Sequence, residues 1–252
     1  MAVKMRGNPA HPYSQGELCP KVNHFVERVY SPQRITTPLV RDGAKGEGIF
    51  RTATWEEALA LVAEKTHEVI DAYGGETVLP WSSAGNQGLL QMSSLDRRLF
   101  ARMGSSQTVG ALCGSVAKNG FAATTGSARS TNPMQIVDAQ YIVLWGTNTR
   151  LTNRHLWPFI EEARGKGAKV VVVDPIRTIT ADEADWFIQP FPGTDTALML
   201  AMMHVIIRDE LCDDEFVAQH TEGFAELAAE VAAWTPERAA AESGVSAVDI
   251  ET

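Results

Sequence analysis

With 252 residues, 44% of them hydrophobic, the chain can bury a substantial core as one large domain or two smaller ones. A formal net charge of −9 argues against nucleic-acid binding by phosphate neutralisation and against a membrane-surface binder, and no apolar run reaches the length of a bilayer span. Three widely separated cysteines, Cys19, Cys113 and Cys212, and six scattered histidines supply neither a disulfide framework nor a self-contained zinc site.

The chain opens on Met1-Ala2-Val3-Lys4-Met5-Arg6-Gly7, which lacks the apolar stretch of a secretory signal. Residues 1–50 are rich in Pro, Gly and charge, and "SPQRITTPLVRDGAKGEG" reads as irregular loop with short extended pieces. At Thr54 the pattern changes. "TWEEAL" places a hydroxyl at the N-cap and Glu57 three residues on, a capping box ahead of Ala58, Leu59, Leu61, Val62 and Val69, so a helix is predicted from Thr54 to Tyr73, stopped by Gly74-Gly75. "ETVLPW" (76–81) is predicted as a short strand, "SSAGNQG" as a polar turn, 89–103 as a helix and 116–123 as a weaker one.

From residue 139 the pattern becomes more regular. "AQYIVLWG" (139–146) is a buried strand, "TNTRLTN" a polar loop and 155–164 a helix with Pro158 in its first turn. "AKVVVVDP" follows, beginning at Ala168. Four consecutive valines without alternation describe a strand that is wet on neither face, as in a parallel sheet covered on both sides by helices. "DWFIQP" (185–190) is a third strand, leading through "FPGTD" into an apolar helix over 196–208. Strands joined by helical crossovers are parallel, which predicts an α/β fold with a Rossmann-like open sheet.

In such a fold ligands bind outside the carboxyl ends of the strands, where "WGTNT", "DPIRT" and "PGTD" emerge. A carboxylate there accepts from ribose hydroxyls, which suits Asp174, and a second, Asp195, matches the adjacent N–H groups of guanine. Each also has a plainer role, Asp174 as a turn residue before Pro175 and Asp195 as a helix N-cap. Backbone N–H groups at Gly193, Thr194 and the following helix start favour an anionic or polar group, and Asn148 and Thr152 add neutral contacts. Neither the G-x-G-x-x-G fingerprint nor a Walker loop is present, which disfavours an ordinary nicotinamide or ATP enzyme.

An ordered series of segments, "GNPAHPYSQGELCPK", "RVYSPQRITTPLVRDG", "GEGIFRTATWEEAL", "SAGNQG", "LWGTNT", "GAKVVVVDPIRTITADEAD" and "PGTDTALMLAMMHVIIRDELCDDEFV", resembles the molybdopterin oxidoreductases of the dimethyl sulfoxide reductase type. The resemblance implies a bis-molybdopterin guanine dinucleotide cofactor, molybdenum or tungsten, and a 4Fe-4S cluster. It implies two-electron or oxygen-atom transfer. "GELCPK" fits the segment of the fourth cluster cysteine, making Cys19 a cluster ligand and Lys21 the basic residue between cluster and pterin, although the usual glycine after that lysine is Val22. Cys113 falls where the family presents its metal ligand, with packing as the alternative. Trp145, Gly146, Asn148, Asp174, Pro175, Arg177, Gly193, Thr194 and Asp195 are implied to hold a guanosine end, with Ser83, Gly85 and Asn86 near the pterin and its phosphates.

Family catalytic chains are several times longer. The expectation is therefore an amino-terminal fragment, truncated at both ends and inactive alone, with residues 1–50 a remnant of the iron-sulfur lobe and connecting segment and 51–252 the cofactor-binding region. Its implied partners are the remainder of the catalytic chain and electron-transfer and membrane-anchor subunits, without nucleic acid or direct membrane insertion. Both cytoplasm and periplasm suit such an enzyme, the cytoplasm being favoured for these residues. The alternative is a stand-alone guanine-nucleotide-binding module without redox chemistry.

Overall fold

The computed structural model describes residues 2–81, 88–108 and 112–252. The chain divides into two compact units, Met1–Phe25 with Thr131–Thr252, and Val26–Ser130. Its first regular elements are two short helices, α1 (Pro20–Asn23) and α2 (Phe25–Val29).

Within the second unit, β1 (Leu39–Arg41) pairs antiparallel with β2 (Phe50–Thr52), Val40 opposite Arg51. Residues 1–50 thus carry helices and a hairpin as well as loop; strands of three residues are too short to print an alternation on the sequence. Helix α3 (Trp55–Tyr73) forms as predicted and stops at Gly74, whose φ of 88° suits glycine. Only half of the capping box is present. Thr54 Oγ1 accepts from the Glu57 N–H at 3.2 Å, but the Glu57 carboxylate turns to the Arg51 guanidinium, which holds it below its ordinary pKa range.

Residues 76–81 do not form a strand. A 3-10 turn covers Gly75–Thr77, and this apolar stretch has no ladder partner among the described residues. The helix expected over 89–103 is two, α4 (Leu89–Ser93) and α5 (Leu95–Arg102), interrupted where Ser94 leaves helical geometry at φ −138° and ψ −73°. Serine competes for backbone hydrogen bonds and tolerates such a break. Helix α6 (Leu112–Thr125) extends beyond the predicted 116–123. Among the described residues of this unit, Ala53 is the one buried hydrophobic.

The first unit holds the core. In chain order it contains β3 (Tyr141–Trp145), α7 (Thr149–Thr152), α8 (Trp157–Gly165), β4 (Lys169–Val173), α9 (Ile179–Asp182), β5 (Trp186–Ile188) and α10 (Asp195–Arg208). Helices α11 (Asp214–His220), α12 (Phe224–Val231), α13 (Pro236–Ser243) and α14 (Ala247–Glu251) follow. The strands form a parallel sheet in the order β3-β4-β5.

The central strand explains its own sequence. Val170 and Val172 point to one face, packing with Ile142, Leu144, Trp157, Ile160 and Ala163; Val171 and Val173 point to the other, packing with Leu198, Ala201, Val205, Ala239 and Ile250. Both faces are covered, so no position is free to be polar. Each fully buried valine contributes roughly 1.5–3 kcal/mol by leaving water. Helix α10 starts at Asp195, one residue earlier than its apolar pattern indicates.

Asp185 sits just before β5 and fastens it to β4. Its carboxylate accepts from the Val170 N–H at 2.8 Å, and its own N–H donates to the Val170 carbonyl at 2.9 Å. The Val170 hydrogen bond, with Arg164 and Lys169 nearby, holds this carboxyl below the usual aspartate range.

Candidate functional site

The three loops singled out in the sequence leave the sheet at one level. Trp145 is the register partner of Val173, and Val173 that of Ile188, so the carboxyl ends of β3, β4 and β5 form one edge. Parallel pairing of consecutive strands produces this arrangement, because every crossover returns the chain to the same starting side.

Specific hydrogen bonds tie the loops together. Gly146, at φ 60°, donates its N–H to the Val173 carbonyl at 2.8 Å, joining the first loop to the root of the second. The Trp145 indole N–H donates to Asp195 Oδ1 at 2.7 Å, joining the first loop to the third. Gln189 Nε2 donates to the Pro175 carbonyl at 2.8 Å, joining the third to the second. Gly193 has φ 81° with no heavy atom within 4 Å of where a Cβ would stand, so its backbone conformation rather than crowding calls for glycine there.

Both carboxylates have a structural role and a remaining oxygen. Asp174 Oδ1 accepts from the Ile176 N–H at 2.8 Å, the turn role expected of an aspartate before proline, and its N–H continues the ladder to the Ile188 carbonyl at 3.1 Å. Asp195 is the first residue of α10 rather than its N-cap; Thr194 occupies that position, its hydroxyl donating to the Phe191 carbonyl at 2.7 Å. Among the described residues, Oδ2 of each aspartate has no hydrogen-bond partner, and both side chains are half-buried. Two acceptor oxygens at one sheet edge fit a ligand that presents N–H or hydroxyl donors.

Arg177 stands less freely. Its guanidinium pairs with Asp182 at 3.1 Å and lies 4.8 Å over the Phe187 ring, bracing the second loop. Asn148 Oδ1 accepts from the Thr180 hydroxyl at 2.7 Å, and Thr152 donates its hydroxyl to the Asn148 carbonyl at 3.0 Å, so Thr152 serves the loop's own backbone. Thr180 and Gln189 are passed over by the sequence reading. A hydroxyl two residues beyond the N-cap Thr178 is the only local hint of the first, and Gln189 offers none.

Cys19 is the N-cap of α1, half-buried with a free thiol, and Lys21 is exposed on the first turn after it. Their segment is fastened within its own unit. Tyr13 stacks on Phe159 with centroids 5.8 Å apart and donates its hydroxyl to Asn153 Oδ1 at 3.0 Å, while Glu17 pairs with Arg154. Asn153 and Arg154 directly follow α7, so this segment packs beside the first loop's own helix.

Cys113 is the second residue of α6, but its side chain lies outside the described residues, as do Ser83, Gly85 and Asn86 entirely. Among the described residues no group of three or more His, Cys, Asp or Glu side chains is placed to hold a metal ion. A 4Fe-4S cluster takes four thiolates, and the sequence holds three cysteines, so these residues do not complete one. No helix among the described residues is long and apolar enough to cross a membrane.

A family model described as "Molybdopterin oxidoreductase" matches residues 34–238. The chain belongs to the molybdopterin oxidoreductase family. It is 40% identical to the probable oxidoreductase YoaE of Bacillus subtilis (strain 168), over 98% of this chain and 36% of that protein. It is 32% identical to the thiosulfate reductase molybdopterin-containing subunit PhsA of Salmonella typhimurium, over 97% of this chain and 32% of that protein. In three dimensions it is similar to the acetylene hydratase from Pelobacter acetylenicus, with a TM-score of 0.69 and 27% identity over 96% of this chain and 33% of that one. This molybdopterin oxidoreductase chain therefore spans about a third of the length of the relatives it matches.

Proposed function

We propose that this chain is the part of a molybdenum or tungsten oxidoreductase catalytic subunit that grips one guanosine end of a bis-molybdopterin guanine dinucleotide cofactor. The observation that carries the reading is the shared sheet edge at Trp145, Val173 and Ile188, with the free Oδ2 atoms of Asp174 and Asp195 on the loops that leave it. Asp195 accepts from guanine, with its rotation limited by the Trp145 indole. Asp174 accepts from the ribose hydroxyls, with Pro175 turning the loop away from the ladder. The Gly193 N–H, at the positive end of α10, favours the electron-rich side of the ligand, while the Thr194 N–H is already given to the Phe191 carbonyl at 3.3 Å. Trp145, Gly146, Asn148 and Arg177 shape the remaining walls.

When bound, the cofactor supplies two-electron or oxygen-atom transfer at its metal; the protein's share is position and electrostatics. In this reading the fold is Rossmann-like and 51–252 is the cofactor-binding region. Residues 1–50 derive from the iron-sulfur lobe and its connection, with Cys19 a ligand of the cluster and Lys21 lying between cluster and pterin. Ser83, Gly85 and Asn86 approach the pterin phosphates, and Cys113 is the protein's ligand to the metal. The other partners are the rest of the catalytic chain and iron-sulfur electron-transfer and membrane-anchor subunits.

The test has two arms. The complete reading frame containing these residues is expressed, the purified protein is analysed for molybdenum and tungsten, and guanine nucleotide is released by acid. Metal and guanosine monophosphate in stoichiometric amounts are expected; absence of both overturns the proposal. Calorimetry on the 252-residue chain should find binding of guanosine diphosphate in preference to adenosine diphosphate. Guanosine diphosphate binding in a complete protein devoid of metal would instead favour a nucleotide module without redox chemistry.

A further inference from the structure

We infer that Thr180 is a positioning residue for the guanosine pocket: its buried hydroxyl turns the Asn148 carboxamide so that the amino group, rather than the carbonyl, is offered to the ligand. The inference rests on the pocket reading above. Thr180 lies on α9, outside the three loops, and its side chain is fully buried at 0% exposure. Its Oγ1 accepts from the Arg150 N–H at 3.0 Å and donates to Asn148 Oδ1 at 2.7 Å.

The direction of the second bond follows from proton counting. A hydroxyl carries one proton, and in a buried site that proton needs an acceptor. The Arg150 amide approaches as a donor, so it cannot serve. Among the described residues Asn148 is the remaining partner, and it accepts only through its carbonyl oxygen. Its oxygen is therefore turned toward Thr180.

A second feature agrees. Asn148 occupies the N-cap of α7, where an asparagine ordinarily accepts from the helix's first N–H groups, yet its side chain makes no capping bond. The capping role is given up to the bond with Thr180. The backbone is held separately, with the Asn148 carbonyl accepting from the Leu151 and Thr152 N–H groups at 3.0 and 2.8 Å. What remains is a half-buried carboxamide whose Nδ2 has no partner among the described residues, on the loop that also carries Trp145. With the free oxygens of Asp174 and Asp195, the edge offers two acceptors and one neutral donor. The complementary ligand is a nucleoside phosphate, its N–H and hydroxyl groups meeting the aspartates and an oxygen acceptor meeting Asn148.

The full 252-residue chain and its Thr180→Val, Thr180→Ser and Asn148→Asp variants decide this. In the nitrogen-15 spectrum of the ligand-free protein, the side-chain amide pair that vanishes in Asn148→Asp is assigned to Asn148. That pair should move to the solvent-averaged position in Thr180→Val and stay in place in Thr180→Ser. By calorimetry Thr180→Val should bind guanosine diphosphate about five- to tenfold more weakly, the equivalent of one neutral hydrogen bond, with Thr180→Ser restoring the affinity. The same loss with guanosine assigns the acceptor to the sugar or base; a loss confined to the diphosphate assigns it to the phosphates. An unmoved amide pair, or a moved pair with unchanged affinity, overturns the inference alone. A wild-type chain that binds no guanine nucleotide overturns the pocket reading, while the spectrum still decides the carboxamide's orientation. Should the valine variant fail to fold, Thr180→Cys, with its weaker donor, carries both readouts.

Discussion

Replacing Trp145 by Phe removes one proton donor from the sheet edge while keeping an aromatic ring in place. The indole N–H meets Asp195 Oδ1 at 2.7 Å in a half-buried setting, joining the end of β3 to the first residue of α10. A hydrogen bond to a charged acceptor contributes about 1.5–3 kcal/mol, and partial access of water to Asp195 places this one near the lower end. Trp145 also packs against the cluster around Val171 and Leu198, so the smaller ring costs about 0.5 kcal/mol more in lost burial. The expected destabilisation is about 2 kcal/mol, or roughly 4–8 °C in Tm for a protein of this size. Trp186 packs against the same cluster, and its indole has no hydrogen-bond partner among the described residues, which makes Trp186→Phe the control for the ring alone. Urea unfolding of Trp145→Phe, Asp195→Ala and the double variant should return a coupling of about 1–2 kcal/mol. A coupling below about 0.3 kcal/mol would refute the idea that the indole holds the carboxylate.

Asp185→Asn keeps an acceptor for the Val170 N–H but removes the charge, so wild type should be more stable by about 1 kcal/mol at neutral pH, a figure already reduced because a third of the side chain is exposed. The folded-state pKa is depressed, so this advantage is complete above the unfolded-state value near ~3.9 and disappears as pH falls through the lower folded-state value; unfolding curves for the two proteins that stay equally far apart at acid pH would contradict it. Tyr13→Ala abolishes both the stack on Phe159 and the bond to Asn153, and limited proteolysis should cleave the segment carrying Cys19 at least several-fold faster while the valine strand stays protected. Val172→Ala opens a cavity between the sheet and α8 at a fully buried position, with an expected loss of about 2 kcal/mol in denaturant unfolding and little change in guanosine diphosphate affinity.

Much of the α/β region was legible because burial on both faces leaves a mark no other environment leaves. An unbroken Val170–Val173 run implies helices above and below, and α8 and α10 are there. Gly146 and Asp174 were readable as strand-end chemistry for the same reason, since each stands where an apolar run stops, whereas Gly193 and Asp195 lie farther on, at the start of α10. The amino-terminal region resisted because its elements are short. Three-residue strands and four- or five-residue helices carry too few positions for a period to emerge.

Local sequence by itself determined that the valine run is a strand covered on both faces and which polar groups follow it. It could not decide whether residues 76–81 would find a partner strand, because an apolar stretch becomes a strand only when another backbone is available to pair with it. Nor could it decide how each polar group is turned. Asp195 bonds to an indole 50 residues away, and the Asn148 carboxamide to a hydroxyl 32 residues away. Hydrogen bonds over such separations are chosen by the packing of helices against the sheet, and only tertiary structure brings their donors and acceptors within reach.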